Sequence, residues 1–214
     1  MNQSSTVTLL ELVNRVLLNT GEQPVRTVTE TVAAKRAMNS VKRAVTDIML
    51  LGEWTFARAI VTPTGWDDVT QTMTHSLNQV EDVWVDNLLL RHETWQVHAQ
   101  SHVDVGTPQC WVQVNYETVR LAPYPDTSTK GLVRLVGYKY PTPMVLDTDV
   151  PEVPDVFVDA LVSRATGAFL IRHLGDPGLG NQFNNEFEVS LQQLRDTDRG
   201  VPRRAGNMLN RARL

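Results

Sequence analysis

The chain has 214 residues, 42% hydrophobic and 21% charged, which is the balance of a folded globular protein rather than a disordered one. No run approaches the ~20 apolar residues of a membrane-spanning helix, and the opening Met1–Thr6 lacks a basic stretch followed by an apolar one, which predicts no cleaved export signal. The net charge of -4 is unevenly spread: residues 1–198 hold 15 basic and 24 acidic groups, whereas 199–214 hold five arginines and no acid. An acidic body argues against a general nucleic-acid-binding surface.

A first helix is predicted over Thr8–Asn19, because Leu9, Leu12, Val13, Val16 and Leu17 recur at three- and four-residue spacing. Gly21 and Pro24 end it. A second helix is predicted over Glu30–Leu51, opened by a capping box of Thr27 and Glu30 and burying Val41, Val45, Ile48 and Met49. Lys35, Arg36, Lys42 and Arg43 fall on the other side of that helix. This basic stripe is either a solvated face or a contact for a neighbouring subunit's acidic surface.

Beyond Gly52 the composition changes. All five tryptophans and all four tyrosines lie between Trp54 and Tyr140, in short alternating stretches at 55–61, 80–85, 95–97, 111–116, 119–121 and 132–140, separated by Pro- and Gly-containing turns. That pattern predicts an antiparallel meander or small barrel. Helical periodicity returns over Pro154–Leu174 and again over Asn181–Asp196, where Phe183, Phe187, Leu191 and Leu194 share a face. Ala165, Gly167 and Ala168 are small enough for close helix approach.

The fold class expected is therefore α+β, a four-helix bundle interrupted by an antiparallel β-rich insert and followed by an extended basic arm. Its parts are an N-terminal helical pair at 1–53, the insert at 54–150, a C-terminal helical pair at 151–198 that completes the bundle, and the arm at 199–214.

Chemistry-bearing motifs are sparse. There is no phosphate-binding glycine loop of either common type and no nucleophile elbow. Gly175-Asp176-Pro177-Gly178-Leu179-Gly180 follows a helix and reads as an interhelical turn. His92, His98, His102, Asp104 and Cys110 offer ligand types that suit zinc, but their spacing matches no recognised ligand pair. Cys110, the only cysteine, reads as a small buried hydrophobe. Asp67-Asp68 and Glu81-Asp82 read as solvating groups at turns and strand edges. No catalytic residue, metal site or cofactor is predicted, and the chain is not expected to be an enzyme.

Three motifs together resemble one known family. Asn14-Arg15-Val16-Leu17-Leu18-Asn19-Thr20-Gly21-Glu22-Gln23-Pro24-Val25 is similar to the opening of tail tubular protein A, the head-to-tail adaptor of short-tailed phages. Gly52-Glu53-Trp54-Thr55-Phe56 resembles the junction before that family's β region, and Pro154-Asp155-Val156-Phe157 resembles the start of its later helix.

The resemblance implies a virion protein at the head-to-tail junction, assembled in the host cytoplasm. It implies a homo-oligomeric ring, expected to be a dodecamer, between the portal protein and the tail nozzle protein, with a tail fibre as a further candidate partner. Genome DNA would pass through without specific binding, and no membrane is involved. The arm residues Arg199, Arg203, Arg204, Met208, Leu209, Arg211, Arg213 and Leu214 are the candidate portal-docking segment, and Lys35, Arg36, Lys42 and Arg43 the inter-subunit candidates. Two other classes compete: a DNA-binding protein using the arginine arm, and a tail-associated cell-wall hydrolase.

Overall fold

In the computed structural model, which describes residues 6–96 and 105–199, the first helix α1 (Leu9–Asn19) starts at Thr8, whose hydroxyl accepts the Glu11 N–H. Its predicted stripe of Leu9, Leu12, Val13, Val16 and Leu17 is buried, and Gly21 takes the left-handed conformation (φ 77°) that turns the chain away. Helix α2 (Val32–Leu50) begins later than expected. The Thr27–Glu30 capping box does not form, because the Glu30 carboxylate accepts the Arg26 N–H (2.6 Å) and closes the loop on itself. Thr31 is the cap instead, its hydroxyl accepting the Ala34 N–H at 3.0 Å.

The described residues divide into two compact units, one of residues 6–57 and 141–199, the other of residues 58–96 and 105–140. In the first unit, residues 141–154 return to α1 and tie it down. The Leu9 and Leu10 N–H groups, orphans of the first helical turn, donate to the Asp149 and Asp147 carbonyls. The Asp147 carboxylate accepts the Val28 N–H, and that of Asp149 accepts those of Val145 and Leu146.

A 3-10 turn (Asp155–Phe157) then leads into α4 (Val158–Phe169), which runs on through a π-helical turn (Leu170–Leu174). After left-handed Gly175, α5 (Pro177–Arg199) starts earlier than the sequence suggested. Pro177 occupies the first turn, where no N–H is needed, and the Asp176 carboxylate accepts the Leu179 N–H. The glycine-dense stretch is thus a turn only at Gly175–Asp176, and Gly178 and Gly180 are helical. Helix α4 packs against α1, α2 and α5, so helices from both sides of the insert share one core.

The second unit contains, among its described residues, β1 (Arg58–Val61), β2 (Gly65–Asp67), β3 (Thr72–Thr74), β4 (Leu77–Val85), β5 (Leu88–Leu89), β6 (Arg91–His92), β7 (Cys110–Gln113), β8 (Thr118–Ala122), the one-turn helix α3 (Thr127–Lys130) and β9 (Val133–Lys139). They form two sheets, ordered β1-β9-β4-β5 and β2-β3-β8-β7-β6. Among the described strands all pairings are antiparallel except β6 with β7, and an isolated Val105–Tyr124 bridge is also parallel, so the unit is antiparallel-rich but not a simple meander.

Met73, Leu77, Val83, Trp111, Leu121 and Leu135 belong to the core that the two sheets share. Gly137 lies opposite an irregularity in β4, where an added Cβ would fall 2.0 Å from the Gln79 carbonyl oxygen. Thr55–Ala57 is a 3-10 turn and not a strand, and Trp95–Gln96 is helical rather than extended.

Candidate functional site

Two of the family-like motifs, far apart in the chain, meet in the helical unit. Trp54 is buried beneath the end of α2, where its indole N–H donates to the Ile48 carbonyl at 2.6 Å. Its ring lies edge-on to Phe157 (5.0 Å between centroids, 83°) and stacks near Phe56 (6.0 Å, 17°), while Phe56 and Phe157 also meet edge to face at 5.0 Å. Gly52 is required by this fold-back, since a Cβ there would sit 2.6 Å from Trp54 Cε2.

The end of α5 is fastened to the same place. Arg195 donates to the Leu51 carbonyl (2.8 Å) at the C-terminus of α2, where a cation is favourable. The Asp198 carboxylate accepts from Thr55, from its N–H at 3.2 Å and its hydroxyl at 2.5 Å. The point where the chain leaves the helical unit and the root of the basic arm therefore share one anchor. The arm residues Arg203, Arg204, Met208, Leu209, Arg211, Arg213 and Leu214 lie outside the described residues, as does the side chain of Arg199.

The basic stripe of α2 does not stay together. One residue on from Lys35 or Lys42 is about 100° further round the helix, so the lysines and arginines address different neighbours. Lys42 is half-buried and its charge acts on Asp149, whose carboxyl is held below the usual range chiefly by the Val145 and Leu146 N–H groups. Lys35 is exposed. Arg36 is exposed on the side of His173, whose pKa is lowered by burial and by the charges of Arg36 and Arg172.

Arg43 and Arg172 both line a cleft of about 160 Å³ between α2, α4 with its π-helical turn, and α5, with Ala44, Ala168 and Ile171 among its apolar walls. Within it Arg164 is spoken for: it donates through Nε and Nη2 to Asp47 (2.9 and 2.8 Å), through Nη1 to Asn184 (3.2 Å), and lies 5.4 Å from the Phe187 ring centre. Arg43 and Arg172 have no hydrogen bond or ion pair with any described residue.

Sequence reasoning missed Arg164, Asp47 and Arg172. Their only signal was a polar residue near the edge of an apolar helical stripe, and which of these meet depends on how the helices cross.

A further polar cluster lies among the described residues of the β unit. Lys130 pairs with Asp68 and lies over the rings of Trp66 (5.5 Å) and Tyr124 (4.9 Å), and the Tyr124 hydroxyl donates to Asp68 at 2.7 Å. Lys130 and Tyr124 together hold the Asp68 carboxyl below its ordinary value. All four groups are mutually satisfied, so the cluster reads as a brace.

Of the zinc-type residues, His98, His102 and Asp104 lie outside the described residues. His92 rests against Trp111 at 4.4 Å, and Cys110 is buried with its thiol donating to the Ala122 carbonyl. Burial, reinforced by Glu93, pushes that thiol up to about 11, far from a reactive thiolate. Among the described residues no group of three or more His, Cys, Asp or Glu side chains is arranged to hold a metal. None of their helices is long and apolar enough to cross a membrane.

A family model described as SU10 adaptor protein matches residues 7–209. The chain belongs to the SU10 adaptor protein family. The match spans both units and indicates a phage head-to-tail adaptor, a structural component expected to meet portal and tail proteins. It carries that family's name rather than tail tubular protein A. No curated protein matches the chain.

Proposed function

We propose that the chain is a non-catalytic adaptor subunit at the head-to-tail junction of a phage virion. Copies form a closed ring of the tail tubular protein A type between portal and tail nozzle, and the genome passes through the centre. The observation that carries this reading is the family match over residues 7–209.

A closed ring needs heterologous contacts, in which two different patches of each subunit meet. Unpaired arginines on an otherwise acidic body supply one such patch. The acidic body also suits a DNA conduit, because a basic lumen would bind phosphates and retard passage. Residues 199–214 dock the subunit on the portal, and anchoring of their root by Arg195 and Asp198 fixes where the arm departs.

Deleting residues 199–214 abolishes binding to the portal while the circular dichroism of the body stays that of the full chain. Portal binding that survives the deletion refutes the assignment of the arm.

A further inference from the structure

The arginine cleft has a counterpart on the far side of α5. Asn184 of α5 lines the cleft. Val189 is five residues on, about 140° round the same helix, and is 61% exposed. Glu186 and Asp196 flank it on that outer face and are exposed, with Asp196 accepting a hydrogen bond from Gln192. The cleft therefore presents the guanidinium groups of Arg43 and Arg172 beside the apolar Ala168 and Ile171 and the mutually bonded Asp47, Arg164 and Asn184, and outer α5 presents two carboxylates and an apolar side chain. The angle between them prevents the two patches of one subunit from meeting.

We propose that the cleft at Arg43 and Arg172 receives the outer face of α5, at Glu186, Val189 and Asp196, from a second copy of the chain. This rests on the ring reading and names the contact that builds it. Patches that are complementary, different and unable to close on themselves within a subunit make a head-to-tail interface, which is the kind a ring requires. Arginines that donate to a carboxylate give directional hydrogen bonds, and burying Val189 against the exposed Ile171 removes apolar surface from water.

The test is charge exchange in the full chain. One variant carries Arg43→Glu and Arg172→Glu, the other Glu186→Arg and Asp196→Arg, and rings are counted by native mass spectrometry with and without portal. Each variant alone loses assembly by more than about tenfold, since like charges now face each other, while its melting profile remains that of the wild type. Mixing the two restores rings with alternating subunits, because each variant's cleft then meets an opposite charge.

Variants that assemble alone, or a mixture that does not recover, overturn this interface and leave the ring reading standing. A wild-type chain that never assembles sinks both. An arginine variant that assembles normally but loses affinity for duplex DNA assigns the cleft to phosphate and also overturns the proposal.

Discussion

Replacing Gly52 by alanine tests whether the chain's exit from the helical unit is built around Trp54. The added methyl would lie 2.6 Å from Cε2 and 2.8 Å from Cζ2 of an indole that is 1% exposed. That ring cannot step aside: Phe157 stands 5.0 Å away edge-on, and the indole N–H is held by the Ile48 carbonyl. Forcing a methyl group into such a site costs about 1–3 kcal/mol. The gain from a less flexible unfolded chain offsets about 0.4–1 kcal/mol of this. A net loss of about 1–2 kcal/mol follows, which lowers the melting temperature by roughly 2–4 °C per kcal/mol for a protein of this size.

Trp54→Ala alone removes the ring and costs about 3–5 kcal/mol. Once the ring is gone, the methyl group added at position 52 has no indole to strike, and Gly52→Ala becomes neutral or slightly stabilising. The double variant is then about 2 kcal/mol more stable than the sum of the two singles. Urea unfolding followed by helical circular dichroism of all four proteins measures this coupling. Strict additivity, or a Gly52→Ala variant as stable as the parent, refutes the account of the junction.

Three other expectations can be checked on the isolated protein. Asp47→Ala and Arg164→Ala each destabilise the helical unit by about 1–3 kcal/mol because each strands a half-buried charge, and the double variant costs less than their sum in a denaturation cycle. Gly167→Ala pries α4 from α5, since its Cβ would lie 2.9 Å from the Gly180 carbonyl oxygen; overpacking of this kind costs about 1–3 kcal/mol, read as an earlier urea midpoint.

Asp126 caps α3 and accepts from Thr129 and Ser128, which brings its carboxyl down to about 2. Its folded value lies below the unfolded one of about 3.9, so its contribution is complete above that pH and lost as pH falls toward 2. An NMR titration should find Asp126 still ionised at about pH 3, between those two values, and Asp126→Asn should flatten that limb of the stability curve.

The helical stripes were legible because a period near 3.6 survives even when the ends are uncertain. The buried face of α1 was predicted residue for residue. Helix starts were less legible, as they depend on which of several polar side chains wins a free N–H: Thr31 capped α2, and Glu30 closed the preceding loop instead. Strands β2 and β3 have three residues each, too few for alternation to register. The parallel β6–β7 pair and the π-helical turn after α4 have no local signature in the residues that form them.

For the functional surfaces, the sequence pointed to cations on α2 but not to their division between Asp149 and the cleft. Arg172 comes from an element far along the chain from Arg43, and only the packing of α4 against α2 brings them to one cleft. The Gly52–Trp54–Phe56 and Pro154–Phe157 motifs were both visible in the sequence, whereas their contact is a tertiary fact.

Imaging the purified protein mixed with its portal, with the mass of the complex measured in parallel, bears most directly on the adaptor reading. The expected result is a closed ring of adaptor subunits seated on the portal, with an open central channel. A chain that stays unassembled and unbound beside intact portals would contradict it.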